Sequence, residues 1–203
     1  MGPYQIQVPD VVALTARGYA VASLNYRLSN EESDKARIEG FEDGKAAVRF
    51  LRARAAKYNL DPGKFAVWGN SAGGYIAAIL GVTGDQQTIF DDPASPDAHV
   101  SSAVQAVVVW FGVIDGTFFR PQIRIFHYIP TAKVLPPFLI ANGDADQGVA
   151  VSQAERLNAA LLSAGATSQL AILHGAGHED PAFMSTQMIP TFMFLDRALK
   201  MKR

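Results

Sequence analysis

Five short apolar runs, each closed by turn-forming residues, constrain this chain more than any other feature. They are YAVASLNY (19–26), KFAVWG (64–69), AVQAVVVWFG (103–112), PFLIANG (137–143) and SQLAILHG (168–175). Runs this short, apolar without alternation and rich in Val, Ile, Ala and aromatics, read as strands buried on both faces. The stretches between them carry a helical period. FEDGKAAVRFLRARAAKYNL places Val48, Leu51, Ala55 and Tyr58 on one stripe and Arg49, Arg52, Arg54 and Lys57 mostly off it. SAGGYIAAILG and VAVSQAERLNAALLSAG are expected as the helices after the second and fourth strands, the latter closed by Gly165. TQMIPTFMFLDRALK is expected as a final helix with Pro190 near its first turn, where proline is tolerated. Strands alternating with helices give an α/β architecture, a mainly parallel sheet with helices on both faces.

The 203 residues are enough for one domain, 1–203, with a single sizeable core. Two segments stand outside the alternation. Residues 84–102 are polar and contain proline, and 113–136 are irregular but hold Phe118, Phe119, Phe126 and Tyr128. Both are expected as loop or cap-like segments, because structureless stretches of this length in a compact domain are usually functional or disordered.

Charge narrows the partners. With 18% charged residues and a net charge of −1, the chain offers no field for nucleic acid or an anionic membrane, which leaves neutral small molecules. No apolar run reaches a membrane span, and no basic segment followed by an apolar core marks a signal peptide at the start. A cytoplasmic location is expected if Met1 is the natural start. The absence of cysteine removes disulfides, thiolate metal sites and a cysteine nucleophile.

The chemistry concentrates at Gly69-Asn70-Ser71-Ala72-Gly73, a G-x-S-x-G motif that follows one expected strand and opens the next expected helix. That context is the elbow at which a serine is held in a strained backbone conformation and exposed, with small neighbours at 69 and 73 to avoid collision. A serine needs a base, and the base an orienting acid. ANGDADQGV follows the fourth strand and HGAGHED the fifth, so acids and histidines emerge at the carboxyl edge of the sheet, where α/β folds place their sites. Asp144, Asp146 and, after the third strand, Asp115 are the candidate acids. His174, at a strand end, reads as a hydrogen-bonded core or rim residue, and His99 and His127 as solvated loop residues. No histidine is spaced with carboxylates as a metal site requires, so neither metal nor cofactor is expected.

Taken with ARGYAVASLNYRLS, GKAAVRFLRARAAKYNLDPGKFAVWGNSAGG, PPFLIANGDADQGV and GAGH, the chain resembles α/β-hydrolase esterases related to hormone-sensitive lipases and to small bacterial feruloyl and acetyl-xylan esterases. The resemblance implies Ser71 as nucleophile, Asp146 of the D-x-x-V step as acid and His178 of the G-x-G-H turn as base. It also implies the Ala72 amide as an oxyanion donor and a small-molecule ester as substrate, with a short or aromatic acyl group. Asn70, Phe118, Phe119, Phe126 and Tyr128 are the candidate substrate contacts.

The same resemblance implies that the family's first strands and its oxyanion loop have no counterpart here, so about five strands of an N-terminally incomplete sheet are expected. A fragment of a longer protein, a repacked five-strand sheet, or an edge completed by a second copy as a homodimer would each accommodate this. An amidase or peptidase using the same triad, and a non-catalytic remnant, are the competing functions.

Overall fold

The computed structural model describes residues 9–28, 34–84, 86–115 and 120–200. Four parallel strands stand side by side in chain order: β1 (Ala66–Asn70), β2 (Ala106–Trp110), β3 (Phe138–Gly143) and β4 (Ser168–Leu173). The register places Gly69 opposite Val109, Val109 opposite Ile140 and Ile140 opposite Leu170. Helices α1 (Pro9–Ala16), α2 (Asp34–Ala53), α3 (Ser71–Thr83), α4 (Ile125–Tyr128), α5 (Val151–Ser163) and α6 (Ala182–Lys200) surround the sheet.

Alternate residues of each strand serve two cores. Val107, Val109, Phe138 and Ile140 pack with Phe41 and Val48 of α2, the buried face of α3, and Ala154, Leu157 and Leu161 of α5. Ala106, Val108, Trp110 and Leu139 face the other way, onto Leu14 of α1 and Phe183, Phe194 and Leu195 of α6. Helix–sheet–helix layering is the solution open to strands that are apolar on both faces. Gly165 ends α5 with φ 81°, and the bonds from Ala166 N–H to Leu161 and from Gly165 N–H to Leu162 close the helix end as expected.

The fold departs from the sequence expectation in three places. YAVASLNY forms no strand: residues 19–28 have no ladder partner among the described residues, and Val21 and Leu24 are each 41% exposed. Strand preference is a preference for a pleated, half-buried surface, and this run meets none. It is held instead at its ends, by Tyr19 Oη donating to Asp196 of α6 at 2.7 Å and by Arg27 bonded to Asp43 and Glu42 of α2. Secondly, α2 stops at Ala53 and turns follow, so Tyr58 is exposed while Lys45 and Arg49 are buried.

Those two cations also fasten the stretch that follows α3. The described part of segment 84–102 consists of turns and irregular backbone tied to α2: Lys45 Nζ lies 2.7 Å from Asp91, Arg49 pairs with the other oxygen of the same carboxylate, and Arg54 reaches Asp97 at 2.7 Å. Burial raises the Asp91 pKa, but its bonds to Lys45, Arg49 and Thr88 outweigh this and hold it below the usual carboxylate range. Residues 120–136 pack inward, burying Ile123, Ile125, Tyr128 and Ile129. Finally, α6 begins at Ala182, which puts Pro190 inside the helix at an exposed position. No helix among the described residues is long and apolar enough to cross a membrane.

Candidate active site

Ser71 sits where β1 passes directly into α3, with φ 50°. A left-handed non-glycine residue costs free energy that its surroundings must offset, and such residues gather at functional sites. The two motif glycines differ. A Cβ on Gly69 would lie 1.9 Å from the Gly73 carbonyl oxygen, whereas one on Gly73 would meet nothing within 4 Å. Collision therefore explains Gly69 only, which corrects the symmetric expectation.

Asp146 follows β3 and His178 follows β4. Asp146 Oδ1 accepts the Gly148 and Val149 N–H groups at 2.8 and 2.7 Å, and Oδ2 lies 2.7 Å from His178 Nδ1. The Asp146 side chain is fully buried and that of His178 partly exposed. An ionised carboxylate only accepts hydrogen bonds, so Nδ1 carries the proton and Nε2 presents its lone pair. Nε2 lies 2.9 Å from Ser71 Oγ.

The Ala72 amide lies in the first turn of α3, where N–H groups lack intrahelical acceptors, and no side chain caps this end. Asn70, the residue at the cap position, has its side-chain oxygen 3.1 Å from Trp68 Nε1 as acceptor. That bond ties Asn70 to β1 and not to a pocket.

The competing acids are engaged elsewhere. Asp144 pairs with His174 at 2.7 Å and accepts Gly175 N–H at 2.7 Å. The Gly175 bond first, and then His174, hold its carboxyl below the ordinary range. His174 is a rim residue with its side chain 88% exposed. Asp115 is bonded to Arg156 at 2.7 Å, and its backbone N–H donates to Gln153. His99 and His127 are exposed.

Tyr128 is buried and donates to the Gln122 carbonyl at 2.6 Å, which makes it a core residue and not a pocket wall. Phe126 is half-buried beneath the Arg156 guanidinium, 5.0 Å from its ring centroid. Phe118 and Phe119 lie outside the described residues. No group of three or more His, Asp or Glu capable of holding a metal occurs among the described residues. Phe111, which no motif singled out, has its ring centroid 5.0 Å from that of His178. An aromatic that ends a strand reads as core, so nothing in the sequence could have distinguished it.

A parallel sheet in this order, with a left-handed serine at a strand-to-helix elbow, is the α/β-hydrolase arrangement. The chain belongs to the BD-FAE family, which matches residues 4–127. The match includes Ser71 and ends before Asp146 and His178. Esterase LipQ of Mycobacterium tuberculosis is 27% identical over 197 residues, covering 84% of this chain and 45% of the relative. Esterase LipC of the same organism is 30% identical over 197 residues, covering 81% and 46%. The chain thus spans less than half the length of these curated relatives. Among solved structures, a truncated form of a carbohydrate esterase from gut microbiota is 27% identical. It superposes with a TM-score of 0.79 over 88% of this chain and 73% of that one.

Proposed function

We propose that this chain, as one catalytic unit, hydrolyses carboxylic esters through a covalent acyl-enzyme. The observation that carries the reading is the continuous hydrogen-bond chain from Ser71 Oγ through His178 to buried Asp146. Ser71 attacks the ester carbonyl while His178 Nε2 takes its proton and then delivers it to the leaving alcohol. Asp146 fixes the tautomer and stabilises the imidazolium without being protonated itself. Water, activated by the same imidazole, then attacks the acyl-enzyme and releases the acid. The Ala72 N–H, in the first turn of α3, serves as an oxyanion donor, a contribution of about 100- to 1,000-fold in turnover for one donor.

The substrate proposed is a neutral ester with a short or aromatic acyl group. Its alcohol is a carbohydrate hydroxyl, a choice supported by the gut carbohydrate esterase among the structural neighbours.

Intact-mass measurement with a fluorophosphonate probe, peptide mapping and Ser71→Ala as control tests the mechanism. One adduct on Ser71, absent in the variant, is expected. Methyl ferulate, p-nitrophenyl acetate and acetylated xylan then rank the acyl and alcohol groups. A protein that gives no Ser71 adduct would overturn the esterase reading.

A further inference from the structure

The turn after β2 supplies no acid, base or nucleophile, yet it touches Ser71, His178 and the strand that leads to Asp146. Phe111 has φ 37°, and a bulky residue with positive φ is a backbone outlier. Its N–H donates to the Ala141 carbonyl of β3 at 2.7 Å, which seats the turn against the strand that leads to Asp146. Gly112 follows, and its backbone lies against α3: a Cβ on Gly74 would stand 2.7 Å from Gly112 Cα. Val113 N–H then donates to the Ser71 carbonyl at 3.2 Å. Three consecutive residues are therefore docked on the nucleophile's helix and the acid's strand.

The Phe111 ring completes the set. It is buried, and it meets the His178 imidazole at an interplanar angle of 70°. The Phe183 ring of α6 also packs on it, with centroids 4.7 Å apart at 69°. The imidazole has hydrogen bonds at both nitrogens, which set its in-plane direction but leave it free to tilt about the Nδ1–Nε2 line. An aromatic edge contact restrains that tilt.

Resting on the esterase reading above, we infer that Phe111 is a positioning residue that holds the His178 ring between Ser71 and Asp146. The left-handed backbone at 111 is what turns its ring toward the base. A residue in this role acts through His178 and touches neither substrate nor the reacting atoms.

Phe111→Leu keeps apolar filling and removes the ring, and Phe111→Tyr keeps the ring. Two readouts are needed, kinetics on p-nitrophenyl acetate and the far-downfield proton NMR signal of the His178 Nδ1–H···Asp146 bond, assigned by its loss in His178→Gln. For Phe111→Leu, kcat falls about tenfold with KM within about twofold, in line with the sensitivity of catalysis to small misplacements. The downfield proton broadens or disappears, and Phe111→Tyr restores both.

A Phe111→Leu protein with a lower melting temperature but unchanged kcat and an unchanged downfield proton would make Phe111 a packing residue and overturn the inference. Absence of that proton from the unsubstituted protein would also overturn it. A protein inert to ester and probe whose proton is still lost on Phe111→Leu would refute the esterase reading and leave the positioning role standing.

Discussion

Residues 64–70 and 19–26 draw on the same kinds of side chain and meet different ends. KFAVWG and the asparagine after it contain β1, laddered to β2 from Ala66 to Asn70 and delivering Ser71. YAVASLNY has Ala, Val, Leu and aromatics in similar proportion, but no neighbouring strand among the described residues, and its side chains from Ala20 to Asn25 face solvent. The difference teaches that a buried-strand composition states a demand for two flanking surfaces. The strand forms only where the remainder of the fold supplies them.

Four tests would break or sharpen this contrast, in falling order of effect. Asp146→Asn strikes the well-supported side: kcat falls by about 10,000-fold, because the amide no longer enforces the productive His178 tautomer. Stopped-assay rates on p-nitrophenyl acetate measure it. Asp91→Asn leaves two buried cations without their counter-charge and costs about 3–5 kcal/mol in denaturant melts. Because the folded-state pKa of Asp91 is depressed, its stabilisation is complete above the unfolded carboxylate range and is lost as pH falls below about 4. The unsubstituted protein's melting temperature should therefore drop through that acid window more steeply than the variant's.

Gly69→Ala forces a methyl into the Gly73 carbonyl and costs about 3 kcal/mol, the upper end of overpacking, while Gly73→Ala moves the melting temperature little. Equal losses for the two would refute the asymmetry of the elbow. Smallest is Arg27→Ala, which removes the exposed contacts to Asp43 and Glu42 and costs under about 1 kcal/mol. A larger loss would mean that residues 19–28 are bound to the molecule more firmly than their exposure indicates.

What was legible follows from the same physics. The four strands announce themselves through apolar runs closed by turns, and Ser71 through its motif, whereas the choice of Asp146 and His178 among the acids and histidines beyond the strands rested on the family resemblance. Asp144 stood two residues from Asp146, and only the fold shows it turned to His174. Lys45 and Arg49 were hidden because a helical stripe shows polarity and not partners, and Asp91 lies over forty residues away in sequence. Pro190 misled because its cost depends on whether the freed carbonyl meets water, and at an exposed position it does. Phe111 was invisible, since its role depends on a backbone torsion and on a histidine from another strand.

The strand order has one further consequence. Ser71 and His178 come from β1 and β4, the two margins of the described sheet, yet their side chains meet at 2.9 Å. Three inter-strand steps of about 4.8 Å separate those strands at the sheet itself. The gap is closed by the turn after β4, which folds back over the end of β3: Ala145 N–H donates to the Ala176 carbonyl at 3.1 Å, and a Cβ on Gly143 would lie 2.1 Å from the same oxygen. Where that turn is seated on β3 sets how far His178 reaches toward Ser71, so an inner strand fixes the span between the margins.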